Sequence, residues 1–124
     1  MAAIWLYGEH LDVDDLVERS CLRQGWPVRR GVDVASDMDS LREQPPALLL
    51  LVAGRTARDD FAALYTVRAD AALAAVPVMM IGTPGGPVRE LEEAVALGAN
   101  EFMDSFHVEE FVSRVSLLLG TRDA

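Results

Sequence analysis

Cysteine is nearly missing from this chain: Cys21 is the only one among 124 residues. No disulfide can form within the chain and a thiolate metal site is excluded, so the sequence suits a reducing compartment. Positive charge is also scarce. Eleven Lys and Arg stand against twenty Asp and Glu, for a net charge of −9. A nucleic-acid or anionic-membrane surface would require a basic face, so neither partner is expected. The plain use of such acidity is solubility. No apolar run approaches the roughly 20 residues that span a bilayer. Met1-Ala2-Ala3-Ile4-Trp5-Leu6-Tyr7 lacks a basic n-region and a long apolar core, so no signal peptide is read there and the cytoplasm is the expected location. Gly85-Gly86 belongs to no G-x-x-x-x-G-K-[ST] pattern and reads as a flexible loop.

What the sequence does hold is a core. Hydrophobic residues make up 51% of it, which marks a globular chain of about one domain's length. Its centre is Pro46-Ala47-Leu48-Leu49-Leu50-Leu51-Val52-Ala53-Gly54, an apolar run opened by prolines and closed by glycine. Such a run reads as a strand covered on both faces, the central strand of a parallel sheet. In open α/β sheets, ligands gather just past the carboxyl ends of the strands. The residue at that end here is Val52.

The remaining chain alternates around this strand. Ile4 to Tyr7 reads as a first strand ended by Gly8. Asp12 is a suitable N-cap, Asp15 adds acid to the first turn, and Val13, Leu16, Val17, Ser20 and Cys21 form one buried stripe. Cys21 on that stripe reads as a packed small residue. Trp26 to Val28 begins an edge-like second strand beside Pro27. Ser36 caps a short helix through Leu41, ended by Gln44. Asp59 to Arg68 is a helix with Phe61, Leu64, Tyr65 and Arg68 on neighbouring turns. Val76 to Ile81 is a fourth strand, and a breaker-rich loop follows. Val88, Leu91, Ala94 and Val95 mark a helix ended by Gly98, and Glu101 to Met103 is a fifth strand. Val108 to Leu119 is a last helix with Phe111, Val115 and Leu118 inward, and residues 121–124 read as a frayed tail or linker. Five alternations with short connections predict one α/β domain over 1–124, a doubly wound parallel sheet.

Several stretches resemble the receiver domain of two-component response regulators, the CheY-like fold. Pro46 to Leu51 is similar to "P-D-L-V-L-L", the lead-in to the phosphorylated aspartate. Arg68-Ala69-Asp70 followed by Val76-Pro77-Val78-Met79-Met80-Ile81 resembles the third-helix ending and the "I-P-V-I-M-L" fourth strand. Gly98-Ala99-Asn100-Glu101-Phe102 resembles "G-A-D-D-Y". The resemblance implies a flavodoxin-like (βα)5 sheet in the order 2-1-3-4-5. It also implies a site of five groups: a nucleophilic aspartate, an acidic pair that holds Mg²⁺ with it, a Thr or Ser, and a Lys.

Carried over position by position, most of that chemistry is absent. Val52 takes the phosphoacceptor place and carries no nucleophile. Gly8 and Glu9 stand for the acidic pair, so one carboxylate survives. Gly82 stands for the Thr or Ser, with Thr83 one residue away. Asp104-Ser105-Phe106 stands for "K-P-F", so Asp104 replaces the Lys, within one residue of alignment. Phe102 matches the aromatic switch position without its coupling partner. One carboxylate is too little to hold Mg²⁺ against its hydration shell. Reversing the Lys charge costs roughly 4 kcal/mol against a phosphoryl oxyanion at about 4 Å and an effective dielectric near 20.

The expected function is therefore that of a pseudo-receiver: a non-enzymatic signalling module acting by protein–protein contact, with no cofactor and no metal. Val112, Leu117 and Leu119 give the last helix more apolar residues than one face can bury, which hints at an interface. The resemblance places the usual dimer or partner surface on the fourth helix, fifth strand and fifth helix. Two alternatives stay open. One is phosphorylation at a different acceptor, Asp104, Asp59 or Asp60, although acids at 59 and 60 also suit a helix N-terminus. The other is a small flavodoxin-like ligand binder, with an apolar pocket at Gly8 and Val52. His10 and His107, with Glu9 or Asp104, could be imagined around a transition metal, but no recognised ligand spacing supports it.

Overall fold

Alternation carries through to the tertiary structure. A computed structural model describes the chain except for residues 1, 9–10, 32, 54–56, 84–89, 97 and 124, and for residues 11, 53, 57–61 and 121–123 it describes the backbone alone. The elements run β1 (Ile4–Tyr7), α1 (Leu11–Arg23), β2 (Val28–Arg30), α2 (Val34–Glu43), β3 (Leu48–Ala53), α3 (Ala57–Ala69), β4 (Val78–Gly82), α4 (Leu91–Ala96), β5 (Glu101–Met103) and α5 (Val108–Asp123). All strand pairs are parallel, in the order β2-β1-β3-β4-β5. The chain steps outward from β1 to β2, then crosses back to β3 and continues the other way. That reversal makes the carboxyl ends of β1 and β3 the topological switch point.

Strand side chains alternate between two cores. Trp5, Tyr7, Leu49, Leu51, Val78, Met80 and Phe102 pack with residues of α2, α3 and α4. Ile4, Leu6, Leu48, Leu50, Val52, Met79, Ile81 and Met103 pack with Val17 and Cys21 of α1 and with Phe111, Val115 and Leu119 of α5. Because β3 feeds both layers, it tolerates no polar residue from Leu48 to Val52, and each buried Leu contributes about 1.5–3 kcal/mol.

Several local expectations are corrected. The cap of α2 is Asp33, whose side chain accepts from the Ser36 amide at 3.2 Å, and not Ser36 itself. β2 begins at Val28, two residues later than expected, and does hold a sheet edge. Asp12 lies inside α1. On that helix Leu16 is exposed while Asp14 is buried. Asp14 stands three and seven residues before Val17 and Cys21, so it shares their inward line. Tyr65, Leu91 and Val95 are likewise exposed, because Leu64, Val67 and Ala94 take the core-facing positions. The last helix continues through Asp123.

Candidate functional site

Parallel register brings the predicted positions to one edge of the sheet. Tyr7 pairs with Leu51, Val52 with Ile81, and Ala53 with Gly82, so the chain leaves β1, β3 and β4 side by side. Gly8 and Val52 are in direct contact. A Cβ on Gly8 would overlap Oδ1 of Asp14 and stand 2.8 Å from Cβ of Val52. Val52 is only 2% exposed and belongs to the core under α1 and α5. The end of β3 thus presents a methyl-bearing side chain sealed from solvent, with a buried carboxylate beside it.

At the other half of the edge, Gly82 closes β4. A Cβ there would lie 2.7 Å from the carbonyl oxygen of Asp104 and 3.3 Å from Cζ of Phe102. The place where a hydroxyl-bearing side chain would begin is filled by the backbone after β5 and by the Phe102 ring. Thr83 is buried at the next position, and Asp104 is exposed in the turn after β5. Phe102 is buried among the α2, α3 and α4 core residues. Arg114 of α5 holds its backbone, donating from Nη1 to the Phe102 carbonyl at 2.7 Å and to Glu101 at 2.8 Å, and it also pairs with Glu110.

Not every predicted residue is brought together. Glu9 and His10 lie outside the described residues, as do the side chains of Asp59 and Asp60. His107 meets the hydroxyl of Ser105 at 3.1 Å. Of the three α5 residues taken as a surplus apolar face, Leu119 is 6% exposed and packs in the core, and Val112 is partly buried against the same core. Leu117 alone faces outward, at 70% exposure. The expectation of a three-residue patch on α5 is corrected to one residue.

Magnesium wants several oxygen ligands. Gly8, Val52 and Gly82 offer no side-chain oxygen, and among the described residues no group of three His, Cys, Asp or Glu could hold a metal ion. The described residues at the strand ends, Gly8, Val52 and Gly82, do not fit such a site.

Three features escaped sequence reasoning. Asp14 was overlooked beside Asp12 and Asp15, although its register with Val17 and Cys21 was readable. The chain also contains no lysine: all eleven cations are arginines. No shift of alignment around Asp104 can therefore supply the ammonium of a receiver site. The third feature is a set of long-range polar ties. Tyr7 Oη donates to Asp37 at 2.9 Å, and burial together with that carboxylate pushes the phenol above its ordinary range. Arg68 donates to the carbonyls of Gly98 (2.9 Å), Ala74 (3.0 Å) and Val76 (2.8 Å) and to Oδ1 of Asn100 (2.7 Å). That fork ties the end of α3 to the starts of β4 and β5.

No protein-family model matches the chain, and a search of curated proteins finds no match. Solved structures do resemble it. A protein assigned as a response regulator from Chloroflexus aurantiacus superposes with a TM-score of 0.80 at 19% identity, over 96% of this chain and 98% of its own. The receiver domain of NtrX from Brucella abortus gives a TM-score of 0.75 at 24% identity, over 95% and 98%. The receiver domain of a sensor histidine kinase from Pseudomonas aeruginosa, with a magnesium ion coordinated in its active-site cleft, gives 0.78 at 18%, over 96% and 98%. Five parallel strands in the order 2-1-3-4-5, layered between helices and superposing on these proteins over nearly their full length, give this chain the CheY-like fold of response-regulator receiver domains.

Proposed function

We propose that the chain is a pseudo-receiver, a cytoplasmic signalling module of a two-component or related system that acts by protein–protein contact without phosphotransfer. The observation that carries this is Val52, a buried alkyl side chain at the carboxyl end of the central strand, where the receiver fold would place its phosphoacceptor. Three further observations support it. The Cβ position of Gly8 is taken by Asp14, and that of Gly82 by the Asp104 carbonyl. The chain has no lysine to pair with a phosphoryl group. The contact surface in this reading is the face made by α4, β5 and α5.

Amide NMR spectra titrated with Mg²⁺, then with Mg²⁺ plus beryllofluoride as a phosphoryl mimic, test the reading. No shifts are expected at Val52, Thr83 or Asp104. Saturable shifts at these residues, spreading to Phe102, would overturn it and point to another acceptor.

A further inference from the structure

Phe102 stands between two spaces of opposite character. On one side is the core beneath α3 and α4, where the side chain is 6% exposed in the cluster that also holds Leu64, Met80, Ala94 and Ala99. Gly82 lies beside it there, since a Cβ on that glycine would come 3.3 Å from Cζ of the ring. The ring thus rests where β4 offers no side chain.

On the other side is a groove of about 340 Å³, lined by Leu91, Phe102, Met103, Asp104, Glu110 and Arg114. Half of those residues are charged, and Arg114 is already engaged by Glu101 and Glu110. The groove has room for a phenyl ring but meets it with ionised groups. A strand residue has two common rotamers, so geometry alone does not choose between core and groove.

Burial makes the choice. Keeping a Phe side chain buried rather than exposed favours the core position by roughly tenfold to hundredfold. Turning it outward would also leave an unfilled space beside Gly82, because glycine has nothing to swing into it. The backbone cannot follow the ring either: the Phe102 carbonyl accepts from Arg114 at 2.7 Å, and the Asp104 carbonyl lies against Gly82. We propose that the β4–β5 edge has one state, with Phe102 fixed beside Gly82, so that the chain carries a single signalling conformation and its output follows its abundance. The outward state is then about 1% of the chain or less, and a ligand would need roughly a 10⁴-fold preference for it to make it dominate. This deepens the phosphorylation-independent reading above and rests on it for the signalling consequence.

The test is NMR of the full chain with isotope-labelled Phe rings, read without and then with Mg²⁺ and beryllofluoride. The parent should show one χ1 rotamer at Phe102, ring contacts to the Gly82 Hα protons, and no relaxation dispersion from a second state above about 1%. Gly82→Ala, whose methyl takes part of the ring's seat, should raise the outward population about tenfold, seen as exchange at Phe102. Dispersion or a second rotamer at Phe102 in the untreated parent would overturn the single-state proposal and leave the phosphorylation-independent reading standing. So would a Gly82→Ala variant with Phe102 as still as in the parent, because the seat would not then be what holds the ring. Should that variant fold poorly, the parent measurement decides by itself. A beryllofluoride response that moves the Phe102 ring overturns both readings. One that leaves the ring in place overturns the phosphorylation-independent reading alone.

Discussion

Replacing Gly82 by alanine asks whether the end of β4 is closed. Two effects oppose each other. Removing a glycine from a strand reduces the entropy of the unfolded chain and by itself stabilises by about 0.4–1 kcal/mol. Against this, the new methyl would stand 2.7 Å from the Asp104 carbonyl oxygen, 3.2 Å from its carbon and 3.3 Å from the Phe102 ring. The nearest obstacle is backbone held between β5 and α5, so it cannot rotate aside as a flexible side chain would. Overpacking of this kind costs about 1–3 kcal/mol. The clash wins, and Gly82→Ala should be less stable by roughly 1–2 kcal/mol, with a Tm lower by roughly 3–8 °C for a domain of this size. Urea unfolding measures it, with an unchanged slope showing that the cost falls on the native state. Amide shifts should concentrate at Phe102, Asp104 and Ser105. A variant as stable as the parent, or more so, would show that the turn after β5 yields freely. In that case a threonine at this position could be accommodated and the closed-edge argument would fail.

Arg68→Met removes four donated hydrogen bonds while keeping the aliphatic stem, and leaves three carbonyls to find water; a loss of about 2–4 kcal/mol is expected in urea unfolding. Arg68→Lys should recover less than half of it, since an ammonium cannot reproduce the fork. Burial pushes the Cys21 thiol up to about 12 from its ordinary value near 9. The folded state therefore favours the protonated thiol, and stability should fall as pH rises from about 9 towards 12, by up to about 1.4 kcal/mol per unit. Cys21→Ala should flatten that slope in urea midpoints, and the parent thiol should stay unreactive to a disulfide reagent until the chain unfolds. Asp70 accepts from Arg42 at 2.6 Å and from the Ala72 amide at 2.9 Å, and the Arg42 hydrogen bond holds its carboxyl below the usual range. Its contribution is present above the ordinary carboxylate pKa and lost as pH falls through the lowered value, so Asp70→Asn should reduce acid sensitivity in a pH titration of Tm.

Much of this protein was legible as a string of residues. A run such as Leu48 to Val52, apolar at every position, can be satisfied only by cover on both faces, and β3 is indeed central. Composition also decides what no folding can alter: a valine at the end of that strand has no nucleophile, and a chain without lysine has no ammonium to offer. Other features depended on how the helices are rotated. Neighbouring helical residues point about 100° apart, so periodicity named the apolar residues of α5 but did not fix the rotation of the helix, which buries the line Phe111, Val115 and Leu119 and turns Leu117 outward. A single step of about 100° separates buried Asp14 from exposed Asp15. The filled positions beside Gly8 and Gly82 were beyond any local rule. They arise because packing brings the Asp14 side chain of α1 and Val52 of β3 against Gly8, and the Asp104 carbonyl, 22 residues further along the chain, against Gly82. Sequence determines which groups exist and which must be buried. Only the packed fold decides which of them meet, because the distances that close this edge run between elements set side by side by packing.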